Sequence, residues 1–304
     1  MEAPDLAGLD PATPSGASAL LGAYRVTPRK RWGQSFLVDR NVLHRIADLA
    51  AIQPHERVLE IGAGLGALTR CLAQRASHVT TVEVDARLEP ILRSAMEGIP
   101  NASLIMADFL RLDTAQLLKE AFLCGLGAVV ANIPYSITTP ILERLLSHKR
   151  LISRMVLLMQ QEVADRLAAH PGTDAYGSMS VFAQYHARVE ILGTVPPSVF
   201  LPRPEVSSSI VRLTPILPGA VAVADEDLFF QVVRCAFGQR RKTLANALRR
   251  LLPNLDAPRV AEVFLKAQLD AGRRGETLGL EEFAQLASAV NAVHGTNRDL
   301  SPGQ

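Results

Sequence analysis

The chain has 304 residues, 48% of them apolar, and a formal net charge of +2. That length suggests one large or two modest domains around a sizeable core, and the near-neutral charge means that any nucleic-acid surface must come from local clustering. The three cysteines form no CxxC, the seven histidines show no HxxxH spacing, and no apolar run reaches the ~18 residues of a membrane span, which argues against a disulfide framework, a metal site and a membrane protein.

Residues 1–24 are rich in Ala, Gly, Pro and Ser, and the composition predicts a mobile tail through residue 28. No Lys or Arg precedes Arg25, so the basic start of a signal or targeting peptide is missing and a cytoplasmic protein is expected. Three adjacent cations, Arg29, Lys30 and Arg31, then lead into Trp32-Gly33-Gln34-Ser35-Phe36-Leu37. This stretch reads either as a solvated loop or as a lid whose cations meet phosphates. A helix from about Asn41 to Ala51 follows, with Leu43, Ile46, Ala47 and Ala50 on one face.

Val58, Leu59 and Ile61 read as the end of a buried strand, Gly62, Gly64 and Gly66 as a tight turn, and residues 67–72 as a helix. The third glycine comes two residues after the second, unlike the dinucleotide GxGxxG. Residues 79–85 form a second strand, with Glu83 lying 21 residues after Gly62, near the offset of about 20 for an acid that grips ribose hydroxyls. Asp85 points the same way and is the second choice. Residues 103–108 make a third strand ending in Asp108, beside Phe109, and residues 128–131 a fourth, ending in Asn132-Ile133-Pro134-Tyr135. Thr139 and Pro140 then start a helix to about Ser147. Strands alternating with helices imply a parallel sheet covered on both faces, with ligands outside the carboxyl ends of the strands. Gly62, Gly64, Glu83, Asp108 and Asn132 all fall at that end.

A fifth strand spans 154–160, helices are expected at 161–169 and 177–187, and closing antiparallel edge strands at 189–192 and 208–213. Between the last two, a proline-rich loop carries Phe200, expected to stand exposed. Residues 216–224 look like a linker, and the rest shows only helical periodicity. Arg234, Arg240, Arg241, Lys242, Arg249 and Arg250 give that region a basic run, which is either a solvated face or an RNA-binding one. The expected division is a tail at 1–28, an α/β domain at 29–215 and a small all-helical domain at 216–304.

Several of these stretches together resemble the family of S-adenosylmethionine-dependent rRNA adenine N6-dimethyltransferases, in particular its bacterial small-subunit branch. They are RKRWGQSFLVD from Arg29, VLEIGAGLGALT from Val58, VEVD from Val82, ADFL from Ala107 and NIPYSITTPIL from Asn132, with VFLPRPEVSSSIVRL from Val199 and FGQRRKTLANAL from Phe237. The resemblance implies a Rossmann-like methyltransferase sheet with S-adenosylmethionine held by Ser35, Leu37, Gly62, Gly64, Glu83, Asp108 and Asn132. The family more often has Asn at the position of Ser35, where a hydroxyl can still bond. It further implies two adjacent adenines near the 3′ end of small-subunit rRNA as substrates, dimethylated on a precursor 30S subunit, while the lack of heptads or an unexplained apolar stripe in the sequence leads to the expectation of a monomer. Arg29, Lys30, Arg31, Arg240, Arg241 and Lys242 would meet the RNA.

On this reading the Asn132 side-chain oxygen and the Ile133 carbonyl accept the two N6 protons, Pro134 fixes the loop, and Tyr135 and Phe200 stack on the two faces of the base. The competing readings are a large-subunit rRNA methyltransferase, an NAD(P)-dependent oxidoreductase, and a non-enzymatic ribosome-assembly factor binding through its basic helices.

Overall fold

The computed structural model describes residues 9–29, 33–238, 242–252 and 256–295. The chain divides into two compact units. One runs to Ala164 and resumes at Val189–Pro215; the other takes Asp165–Arg188 and the chain from Ile216 onward.

In chain order the first unit contains α1 (Pro14–Ala23), β1 (Phe36–Leu37), α2 (Arg40–Leu49), β2 (Arg57–Ile61), α3 (Ala67–Ala73), β3 (His78–Glu83) and α4 (Glu89–Ala95). It continues with β4 (Ala102–Met106), α5 (Thr114–Ala121), β5 (Gly127–Asn132), α6 (Thr138–Ser147), β6 (Ile152–Gln160) and the start of α7 (Gln161–Ala168). After α8 (Ser178–His186) of the second unit, the chain returns as β7 (Ala187–Val195), β8 (Phe200–Leu201) and β9 (Ser208–Pro215).

Seven strands form one sheet in the order β4-β3-β2-β5-β6-β9-β7. The first five are parallel, and β9 runs antiparallel to β6. The outermost strand is β7, so β9 is an inner strand rather than the edge expected for it. Val58, Val79, Ala128, Val130, Val156 and Leu158 pack with Leu43, Ile46, Leu68 and Leu72 of α2 and α3. Their alternate neighbours Leu59, Val129 and Leu157 are equally buried on the opposite face. Both faces are therefore covered, as a parallel sheet requires. Chain order reverses between β2 and β5, which opens a crevice at their carboxyl ends.

Three expectations need correction. Residues 14–23 are a helix, not part of a tail. Thr13 caps it by accepting from the Gly16 N–H, Pro14 opens it, and Ala17, Leu20 and Leu21 pack with Leu88, Ile91 and Leu92. Its Ala- and Gly-rich composition masks the apolar spacing. Phe200 is not exposed either. Its backbone pairs with Leu37 across a two-stranded antiparallel ribbon, and its side chain is 4% exposed within the core. Finally, residues 165–188 belong with the helical unit, because Tyr176, Val181 and Tyr185 pack into its core.

That second unit adds α9 (Glu226–Phe237), α10 (Leu244–Leu251), α11 (Ala257–Ala267) and α12 (Leu280–Gly295). Its core holds the buried aromatics Tyr176, Phe229, Phe264 and Phe283. The Tyr176 hydroxyl donates to the Leu278 carbonyl at 2.9 Å, so the buried phenol is satisfied.

If α1 is a docked helix, Leu20→Ala should lower stability by about 2–5 kcal/mol, as for other buried leucine truncations. Urea unfolding measures this, and a wild-type midpoint would show that α1 does not dock.

Candidate active site

The glycine turn after β2 is shaped by its neighbours. Gly66 caps α3 in the left-handed region, φ +81°, and a Cβ there would lie 3.0 Å from the Ala95 Cβ. Gly64, φ +58°, lies so close to Phe36 that a Cβ would stand 3.0 Å from its ring. Only glycine suits both places.

The three glycine N–H groups of the turn are engaged within the protein. Gly62 N–H donates to the Val82 carbonyl at 2.8 Å, Gly66 N–H to Ala63 at 2.9 Å, and Gly64 N–H to Glu83 Oε2 at 2.9 Å. The other Glu83 oxygen accepts from the N–H groups of Val84 and Asp85, each at 2.9 Å. Burial pushes the Glu83 carboxyl above the usual range, and these three N–H donors oppose that shift.

Asp85 does not share this position. It is 1% exposed, pairs with Arg87 and accepts from Gln34 Nε2 at 2.9 Å. It ties the segment before β1 to the end of β3, and it does not line the cleft.

Asp108 caps a one-turn 3-10 helix through the Leu110 N–H at 3.0 Å. Both Asp108 and the buried Phe109 line the cleft. At the end of β5, Asn132 Nδ2 donates to the Ser35 carbonyl at 3.2 Å. Ile133 is 1% exposed, and the Tyr135 hydroxyl lies 2.6 Å from Ser208 Oγ. Burial raises the Tyr135 phenol, against the pull of that hydrogen bond. α6 begins at Thr138, just after the turn made by Tyr135–Ile137, so Pro140 falls within its first turn, where no backbone donor is needed.

These residues line one cleft that is open to solvent. The structure brings Ser35, Leu37, Gly62, Gly64, Glu83, Asp108, Asn132, Ile133, Pro134 and Tyr135 together around it. Phe200 is absent from the lining. Of the expected RNA contacts, Lys30, Arg31, Arg240 and Arg241 lie outside the described residues. Arg29 is partly buried, with its N–H donating to Gln34 Oε1 at 2.7 Å, and Lys242 is exposed.

Sequence reasoning missed Glu60. It lines the cleft at 1% exposure, and Thr69 Oγ1 donates to it at 2.5 Å. Burial pushes its carboxyl up to about 8, with the neighbouring Glu83 charge acting in the same direction. The signal was a lone acid amid apolar strand residues.

Among the described residues the cleft carries three carboxyls, Glu60, Glu83 and Asp108, and no Lys, Arg or His. An anionic dinucleotide would meet no cation in this lining, and the N–H groups of Gly62, Gly64 and Gly66 are already engaged. A cationic ligand without phosphate groups fits. No cluster among the described residues is suited to a metal ion.

The family model described as ribosomal RNA adenine dimethylase matches residues 25–286. The chain belongs to that family. It is 44% identical over 287 residues to the ribosomal RNA small subunit methyltransferase A of Anoxybacillus flavithermus, covering 93% of this chain and 97% of that one. The namesake from Geobacillus thermodenitrificans is 45% identical over 286 residues, covering 92% and 97%. Among solved structures, a dimethyladenosine transferase from Plasmodium falciparum superposes with a TM-score of 0.72 at 26% identity, covering 84% of this chain and 96% of that one. The 23S rRNA methyltransferase ErmE gives 0.63 at 29% identity, covering 84% and 99%.

The protein is thus an rRNA adenine dimethyltransferase whose methyl donor is S-adenosylmethionine. The acidic, phosphate-free character of the cleft suits that cationic donor.

The folded protein binds the Glu60 proton more tightly than the unfolded chain. Glu60 therefore contributes stability that is complete below the unfolded value near 4.5 and is lost as the pH rises through about 8. Glu60→Gln should flatten this decline in urea titrations between about pH 5 and about pH 8. An unchanged slope would assign the proton elsewhere.

Proposed function

We propose that the enzyme dimethylates N6 of two adjacent adenines near the 3′ end of small-subunit rRNA, acting as a cytoplasmic monomer on a precursor 30S subunit. The observation that carries this reading is the Asn132–Tyr135 loop, which lines the same cleft as the glycine turn and Glu83. The 44–45% identity to small-subunit methyltransferases over more than nine-tenths of the chain favours that substrate over large-subunit rRNA. Among the described residues, no helix is long and apolar enough to cross a membrane.

S-adenosylmethionine, when bound, supplies an electrophilic methyl group. Glu83 takes the ribose hydroxyls, and Asp108 takes the adenine amino group, with Phe109 against the ring. Ser35, Leu37, Gly62 and Gly64 complete the wall, and Asn132 borders the methionine end.

The target adenine leaves its stack to enter the cleft. Its N6 is a weak nucleophile because the lone pair is delocalised into the ring, so orientation matters more than base strength. Asn132 Oδ1 and the Ile133 carbonyl accept the N6 protons and draw the nitrogen toward tetrahedral geometry. Pro134 keeps Ile133 extended. The Tyr135 ring stacks on the base, and its bond to Ser208 holds the ring in place. The cationic amine product gives its proton to solvent. Phe200, buried and absent from the cleft lining, has no contact to the second face of the base in this arrangement.

The RNA surface includes the basic run of the helical unit. Arg234, Lys242, Arg249 and Arg250 are exposed there, and none makes an ion pair among the described residues. Arg29, Lys30, Arg31, Arg240 and Arg241 belong to the same proposed set of phosphate contacts.

Labelled S-adenosylmethionine incubated with unmethylated small subunits should mark two adjacent adenines; label in large-subunit rRNA instead would favour the other substrate. In single turnover at saturating cofactor, Asn132→Ala should lose on the order of a hundredfold in rate, the usual cost of one preorganised group. A near wild-type rate would remove Asn132 from the mechanism. Neutralising Lys242, Arg249 and Arg250 together should lower the salt slope of subunit binding by about two, at ~0.7 per single-strand phosphate contact. An unaltered slope would make this face merely solvated.

A further inference from the structure

The orientation of the Asn132 amide decides whether this site can work. Its side chain has one accepting and one donating end, and an exocyclic amine with two protons needs the accepting end. Turned around, the amide would offer N–H groups to N–H groups.

The structure contains a device that sets this orientation. The Ser35 backbone carbonyl can only accept, and Asn132 Nδ2 donates to it at 3.2 Å. A reversed amide would bring two oxygens together at that distance. Among the described residues no donor occupies Asn132 Oδ1, so the oxygen is left available to a ligand.

The Ser35 carbonyl is itself held from two sides. The Ser35 hydroxyl donates to the Pro202 carbonyl at 2.6 Å, and the next residue, Phe36, pairs with Leu201 in the β1–β8 ribbon. Gln34 bridges in the other direction, from Nε2 to Asp85 Oδ2 at 2.9 Å and from Oε1 to the Arg29 N–H at 2.7 Å. Asp85 in turn donates its N–H to Glu83 Oε1 at 2.9 Å.

We propose that Gln34 and Ser35 are positioning residues that fix the Asn132 amide with its oxygen toward the target amine. Asp85 is the anchor for Gln34 rather than a ligand for ribose. The position of the amide is thereby tied to the Glu83 end of β3. This inference rests on the role given to Asn132 above.

The test is a double-mutant cycle in single-turnover methylation at saturating cofactor, followed long enough to measure losses of about ten-thousandfold. Gln34→Ala should slow transfer about tenfold in the wild-type background, within the cost of a small misplacement of a reacting group. In the Asn132→Ala background the same change should cost less than about twofold, because there is no amide left to orient. Ser35→Ala, a second variant acting on the same carbonyl, should show the same dependence on Asn132. Asp85→Asn, which keeps an acceptor for Gln34, should be milder than Asp85→Ala.

Equal slowing by Gln34→Ala in both backgrounds, or none in either, would overturn the positioning role. If Asn132→Ala alone transfers at the wild-type rate, the proposed chemistry at Asn132 fails first, and this inference falls with it.

Discussion

The site is built around one buried carboxylate. Glu83 ends β3 and accepts three backbone N–H groups, from Gly64, Val84 and Asp85. A carboxylate buried without such donors would favour its neutral form or disrupt its surroundings. The three donors belong to the turn after β2 and the bend after β3, so a single group holds two strand ends in register. Asp85, once placed, carries the contact on to Gln34 and so to the segment before β1.

The same arrangement explains the selectivity of the cleft for a class of ligand. A phosphate-binding turn presents unused N–H groups at a helix start. Here the N–H groups of Gly62, Gly66 and Gly64 are engaged by Val82, Ala63 and Glu83, and the described lining holds apolar, neutral polar and acidic residues but no Lys, Arg or His. The site suits a positively charged methyl donor with ribose hydroxyls and an aromatic base. Glu60 adds a buried carboxyl to this wall that keeps its proton up to about pH 8 in the free protein, so it lines the cleft as a neutral group.

Much of this was legible in the sequence because it rests on local patterns. The alternation of apolar strands and amphipathic helices, with Gly62, Gly64 and Gly66 after β2, predicts a doubly covered parallel sheet. The strand-end positions of Glu83, Asp108 and Asn132 follow from that sheet, since ligands gather at the carboxyl ends of parallel strands. Helix α1 was hidden because alanine and glycine blur an apolar stripe, although Thr13 and Pro14 mark its start.

What the sequence by itself determined was the fold class, the family motifs and which strand ends face the ligand, all set by short-range periodicity and spacing. Only the tertiary structure decided the partners made across long sequence distances. It buried Phe200 by pairing β8 with β1, and it moved residues 165–188 into the helical unit. It gave Asp85 to Gln34 rather than to the cleft, and it faced Asn132 with the Ser35 carbonyl, 97 residues away in the chain. Such contacts depend on which surfaces the sheet order brings together, and no local pattern encodes that order.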